Sequence, residues 1–348
     1  MDAISSASMP RICEYGWQSL ANTSWAFANL ELMDLPLLQA ISSKALIMLA
    51  NFEPSGWHRR DLVALAMGLL GIAWAHSFLT VDLVDLGIAL EGNLRRVGLE
   101  VQRRDALALE KDSRDHTGEE LAAQWMKAPR LDMLLPGIAV IHKPPDWEVD
   151  GSRTADRDTD EGSLQPLRLS SWLQAHLPRS QCPVSWDAAL DFGFLHRLDV
   201  PSSGLILCGT TFQGLMSLRW QLDTYKIERQ YIVWGHDLAS ASLREVVANI
   251  DPRTVDSKRS YVSEVHGKPA QSWFVVPAHL RRRDAKTADA FSALAVRIRT
   301  GRRHQIRAHL LHAGHPTATD CKYAAVGVHF AHFSALELEF LRAGAQSP

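Results

Sequence analysis

Two hydrophobic periods share this chain, and the switch between them limits what it can fold into. From residue 20 to residue 110, apolar side chains recur at the three-and-four spacing of a helix, with Gly and Pro only as punctuation. Beyond about residue 131, short β-branched runs take over, at 137–143, 203–210, 230–235, 272–276 and 291–300. Helical stretches lie between them at 171–177, 213–223 and 304–313. The pattern predicts an all-α domain with its linker at 1–130 and an α+β domain with a mixed, mainly antiparallel sheet at 131–348. Two domains also suit the length, since 348 residues exceed the roughly 250–300 at which one core stops growing.

Within the helical part, Pro54-Ser55-Gly56 breaks one helix and Asp61 is the expected N-cap of the next. The twenty residues between Asp61 and Asp82 carry no formal charge, a length that would span a bilayer. His76, Ser77 and Thr80 interrupt the stretch, and an earlier segment resembles it in more polar form, 23–32 against 72–81 when Trp25 is set on Trp74. A buried helix in a stack of helical hairpins, without membrane contact, is the expectation. The run Leu20, Asn22, Trp25, Ala26, Phe27 and Ala28 also resembles the helical repeats, of roughly 38 residues, found in organellar RNA-binding proteins. The charged stretch 103–120 reads as helix end and linker, and the polar run 146–163 as a mobile loop.

Composition excludes some classes. Hydrophobic residues make up 46% and charged residues 22%, a globular balance rather than a disordered or fibrous one. Residues 1–130 hold 12 Lys+Arg against 16 Asp+Glu, and residues 131–348 hold 25 against 23, so the chain is no polycation. Contact with nucleic acid then needs a local patch. The best candidate is 281–307, with nine basic side chains (Arg281, Arg282, Arg283, Lys286, Arg297, Arg299, Arg302, Arg303, Arg307) against Asp284 and Asp289. Four scattered cysteines give neither a disulfide framework nor a CxxC knuckle, which suits a reducing compartment. The first residues do not read as a secretory signal. The expected location is intracellular, in cytoplasm or an organelle.

Three segments carry candidate chemistry. In the first, His196-Arg197-Leu198-Asp199 precedes a Pro-Ser-Ser-Gly turn and a strand, a setting that can hold a carboxylate at a strand edge or simply let it cap its own turn. In the second, 301–323, Arg307 and His304 lie at a helix start. Histidines 304, 309, 312 and 315 stand at offsets that place no clean ligand set on one helical face, so no metal is expected. The third is Arg229-Gln230-Tyr231, where a tyrosine opens an apolar strand.

In order, these segments resemble the RluA-type pseudouridine synthase family. Its HRLD-x-x-[TS]-SGL signature is matched by His196-Arg197-Leu198-Asp199 and Ser202-Ser203-Gly204-Leu205. Its K-x-Y strand is matched by Arg229-Gln230-Tyr231, with Arg in the place of Lys. Its GRxHQIRxHL block is matched from Gly301, through Gly314, Pro316 and Asp320 to Tyr323. The family's KP turn looks like the segment ending at Pro145, although that turn usually runs into a glycine where this chain has Asp146. The likeness covers about residues 135–340.

The resemblance implies isomerisation of uridine in RNA, with the base flipped from its stack. Asp199 would be the carboxylate at the ribose, as nucleophile or as base. Arg307 would pair with that acid and keep it ionised, and Tyr231 would lie against the uracil. Arg197, Arg229, Arg281, Arg282, Arg283, Arg299, Arg302, Arg303 and His304 would hold RNA, chiefly through phosphates. It implies no cofactor and no metal. The partner is RNA, ribosomal or transfer, with no membrane and no obligate protein partner indicated. The rival expectation is a non-catalytic RNA-binding or folding factor that retains the fold.

Overall fold

The computed structural model describes residues 8–82, 84–111, 128–149, 167–252, 259–282, 290–318, 320, 322–323 and 338–342. Its chain forms two compact units, Met1–Lys226 and Ile227–Pro348.

The first unit opens with four helices, α1 (Trp17–Asn29), α2 (Leu35–Ala50), α3 (Arg59–Phe78) and α4 (Val84–Lys111). Local chemistry sets their ends. The Asp34 carboxylate accepts from the Leu37 N–H, with Pro36 in the first turn of α2, and Asp82 accepts from the Val84 N–H at the start of α4. Left-handed Glu31 and Thr80 turn the chain after α1 and α3. Asp61 is not the N-cap expected of it: α3 begins two residues earlier, His58 occupies that position, and Asp61 lies in the first turn. There its negative charge still favours the positive end of the helix.

Helix α3 is long and apolar enough to cross a membrane by length and composition. In this unit Leu62, Leu65, Leu69, Leu70, Ile72 and Ala73 are buried among neighbouring helices. An apolar surface extending round the helix is what such a core position requires. His76 sits there fully buried, bonding the Ile72 carbonyl through Nδ1, and burial pushes its pKa below the usual value.

After α4 come β1 (Arg130–Leu135), β2 (Ile138–Lys143), β3 (Trp147–Glu148), β4 (Leu167–Arg168), α5 (Leu169–His176), β5 (Gly204–Gly209) and α6 (Phe212–Asp223). Strands β1, β2 and β5 form an antiparallel sheet with β2 central, in the register Leu135 to Ile138 and Lys143 to Gly204. The expected domain boundary near 130 follows a stretch, 112–127, outside the described residues, as do most of the expected linker and residues 150–163 of the expected loop. The core passes across that boundary: Leu90, Leu94 and Val97 of α4 and Leu62 to Leu69 of α3 cluster with Phe212, Leu215, Met216 and Trp220 of α6. Gly98 lets α4 approach, since a Cβ there would stand 3.0 Å from the Gln213 Cα.

The second unit contains β6 (Arg229–His236), β7 (Glu245–Val247), β8 (Asn249–Asp251), β9 (Tyr261–Ser263), β10 (Gln271–Arg282), β11 (Ala290–Ile298), α7 (Gln305–His312) and β12 (Leu338–Arg342). Its sheet runs β12-β10-β11-β6, with β7 also on β10, and β8 and β9 form a separate antiparallel pair. Phe274, Val276, Leu294, Val296 and Ile298 point to one face, and Leu310 of α7 packs into the same cluster.

The shared core of the first unit generates a prediction. Removing residues 1–111 uncovers four large apolar side chains of α6, each worth about 1.5–3 kcal/mol when buried. A 128–348 fragment is expected to aggregate or to melt without a cooperative transition, while the full chain melts cooperatively by circular dichroism. A fragment that keeps a sharp transition contradicts this packing.

Candidate active site

Asp199 lies in the first unit, half-buried, in the turn between Phe194–His196 and β5. The approach is pinned to that strand: Phe194 bridges Cys208, the Leu195 N–H donates to the Leu207 carbonyl, and the Leu207 N–H donates to His196 Nε2. The turn closes through main chain, with the Ser202 N–H donating to the Asp199 carbonyl at 3.0 Å.

A second anchor comes from the end of β2. Lys143 has no solvent exposure, and its ammonium donates to the carbonyls of Pro144 (3.0 Å), Trp147 (2.8 Å) and Val200 (3.1 Å). Three donors meet three acceptors, which is the full capacity of the group. The Val200 carbonyl also accepts from the Asp146 N–H at 2.8 Å, so the residue after Asp199 is tied twice, through its carbonyl, to the β2–β3 turn. Asp146, standing where the family has glycine, takes a left-handed φ of 69°, a conformation Asp tolerates better than most residues. Burial pushes the Lys143 pKa down to about 8, against the opposing pull of Asp146 and Asp199. The sequence reading assigned this lysine no role. Strand parity was the available signal, because Lys143 shares the inward register of Ala139 and Ile141.

Tyr231 and Arg307 lie in the second unit. Tyr231, on β6 opposite Val296, is half-buried against the sheet core. Arg307 is in the first turn of α7, and its Nε and Nη2 donate to Asp320 Oδ2 (2.6 Å) and Oδ1 (2.7 Å). Its guanidinium carbon lies 4.6 Å from the centre of the Tyr323 ring. The Arg307 guanidinium and the Thr317 hydroxyl hold the Asp320 carboxyl below its ordinary pKa, against burial that acts the other way and is the largest single influence.

The lead into α7 is fixed by Gln305. Its Oε1 accepts from the Thr300 hydroxyl and the Arg302 N–H, and its Nε2 donates to the Gln271 carbonyl and the Ser272 hydroxyl. His304 takes a left-handed φ of 53° and faces the Tyr323 hydroxyl through Nδ1. His309 is fully buried between the Ser272 hydroxyl and the Ala248 carbonyl, and His315 donates from Nδ1 to the His236 carbonyl. Among the described residues no group of three or more His, Cys, Asp or Glu is placed to hold a metal.

The expected RNA-binding cations divide by setting. Arg197 and Arg281 are exposed, while Arg299, Arg302, Arg303 and His304 are half-buried. Arg302 donates from Nε to the Pro269 carbonyl. Arg229 donates to the Arg299 carbonyl, and its guanidinium lies over Gly301. Arg282 ends β10, and Arg283 lies outside the described residues.

Lys143 supplies a pH prediction. Its folded pKa is below the unfolded value, so between about pH 8 and 10.5 the unfolded chain binds more protons and stability rises with pH. Relative to Lys143→Met, wild-type unfolding free energy is expected to improve across that window, by up to about 3 kcal/mol, in urea titrations. A difference that stays flat contradicts the burial of a charged amine.

Comparison with known proteins identifies the family. The model of the RNA pseudouridylate synthase family matches residues 137–312. Ribosomal large subunit pseudouridine synthase C of Buchnera aphidicola subsp. Schizaphis graminum is 34% identical over 131 residues, covering 37% of this chain and 39% of that protein. Ribosomal large subunit pseudouridine synthase D of Salmonella typhimurium is 32% identical over 190 residues, covering 53% and 49%. Dual-specificity RNA pseudouridine synthase RluA of Escherichia coli is 32% identical over 133 residues, covering 37% and 56%. The matches thus span between two fifths and just over half of these relatives' lengths. The family model takes in just over half of the chain, including Asp199, Tyr231 and Arg307, and on that ground the chain belongs to the RNA pseudouridylate synthase family, among its RluA-type members.

Proposed function

We propose that this protein isomerises uridines to pseudouridine in structured RNA, with ribosomal RNA the favoured substrate because two of the relatives above are named for the large ribosomal subunit. The observation that carries the reading is the Asp199 turn, closed by its own main chain and tied to β2 by a buried ammonium. A carboxylate held in a rigid turn costs little to reorganise during reaction.

In this reading the N1–C1′ bond of uridine breaks, the base turns, and C5 joins C1′. The C5 proton is lost and N1 gains one, so no atom is added overall. Asp199 acts at the ribose, either attacking C1′ or removing a ribose proton. The Tyr231 ring supports the flipped uracil, a contact worth about 1–3 kcal/mol, and its hydroxyl relays the C5 proton, releasing its own hydrogen to solvent as it accepts that one. Arg307 stabilises the ionised acid through its charge. Arg197 and Arg281 contact phosphate and set position without reading sequence. Helices α1–α4, with the repeat-like likeness of their Trp25 and Trp74 segments, help to hold the RNA.

Purified protein incubated with large-subunit ribosomal RNA transcripts is expected to produce carbodiimide-dependent reverse-transcription stops. Asp199→Ala is expected to remove them, with a rate loss of at least about a thousandfold, while RNA binding in a filter assay stays within a few-fold. Equal product from Asp199→Ala contradicts the assignment of the acid. RNA binding with no product from the wild type on ribosomal or transfer RNA favours the non-catalytic reading.

A further inference from the structure

The guanidinium assigned above to the chemistry is itself held by a carboxylate with no role so far. Arg307 meets Asp320 in a two-pronged pair at 2.6 and 2.7 Å, and their side chains are only 16% and 10% exposed. Pairs on open surface contribute little; a buried bidentate pair constrains both the position and the plane of the guanidinium.

The carboxylate is fixed in turn. The Thr317 hydroxyl donates to Oδ2 at 2.6 Å and the Lys322 N–H donates to Oδ1 at 3.1 Å, so each oxygen of Asp320 accepts two hydrogen bonds. The face of the guanidinium is fixed as well, because the Tyr323 ring lies against it. That ring is immobilised through its hydroxyl, which accepts from the Ser260 N–H (2.7 Å), donates to the Ser260 carbonyl (3.0 Å), and lies 3.0 Å from His304 Nδ1. His304 Nδ1 then carries a proton and donates to the same oxygen, which uses both lone pairs and the one hydrogen of the phenol. Arg307 is thereby held along its Nε–Nη2 edge by Asp320 and on one face by Tyr323. A lysine at 307 could still pair with the carboxylate, but its ammonium has no plane for these contacts to fix.

We propose that Asp320 is a positioning residue for uridine isomerisation, acting only through Arg307 by fixing the plane of its guanidinium. This rests on the proposed function and adds a residue to it. The alternative, a staple that merely fastens the segment after α7, predicts lost stability without a specific loss of turnover.

A double-mutant cycle in the full chain separates the two. Rates are read as pseudouridine formed on a ribosomal RNA transcript, with kcat and KM measured separately and thermal midpoints recorded for every variant. Asp320→Asn is expected to lower kcat tenfold or more with KM within threefold. In an Arg307→Lys background the same change is expected to cost less than threefold. Should Asp320→Asn fail to fold, Thr317→Val removes one donor to the carboxylate, and its smaller kcat loss is expected to vanish in the Arg307→Lys background. Losses that multiply in the double variant, or a wild-type kcat in Asp320→Asn, overturn the proposal while leaving the functional reading in place. No product from the wild type overturns the functional reading and the proposal with it.

Discussion

An ammonium group removed from water survives folding only where carbonyl oxygens replace its hydration shell. Lys143 meets that condition with three of them, and two belong to segments far apart in sequence: Trp147, after the end of β2, and Val200, immediately after Asp199. The cost of burying the charge is visible in its depressed pKa. What it gains is a fixed relation between the β2–β3 turn and the loop that carries the candidate catalytic acid. The left-handed Asp146 and the Asp146 N–H to Val200 bond complete the same junction. Without the lysine, three carbonyls would lose a donor at once, and the Asp199 turn would keep only its main-chain bonds.

The N-terminal helices enter the account through packing. Helix α3 is apolar round nearly its whole surface, and it is buried among α1, α4 and α6. Arg59, at its start, pairs with Asp105 of α4 and with Asp187, before the Asp199 loop. In the first unit one buried cluster therefore joins these helices to α6, while Ile206 and Cys208 of β5 belong to a second cluster with β2 and α5.

Much of this was legible in the sequence, for definite reasons. Strand β2 falls one residue inside the expected 137–143, and β5 inside 203–210, because both apolar runs are short and bounded by Gly, which favours strand over helix. Helices α6 and α7 match to within a residue. Strand β10 extends six residues past the expected end at 276, through His279, Arg281 and Arg282, the arginines having read as part of a surface patch; pairing with β11 and β12 outweighs their weak strand preference. The short strands β7, β8 and β9 offer too few residues for a period to show. Asp199, Tyr231 and Arg307 were proposed as site residues on family likeness, since each alone is an ordinary turn acid, strand tyrosine or helix arginine. The contacts of Lys143 and Asp320 were hidden because they depend on partners distant in sequence or on a turn whose shape no pattern encodes.

The central claim is that this fold turns uridine over rather than merely binding RNA. Joining C5 to C1′ must expel the hydrogen at C5, so RNA transcribed with [5-³H]uridine reports the reaction directly. Incubation with the protein is expected to release tritium to water, with a plateau at a small whole number of equivalents per RNA molecule and none released by the Asp199→Ala variant. Tight binding of that RNA with all tritium retained would contradict the account.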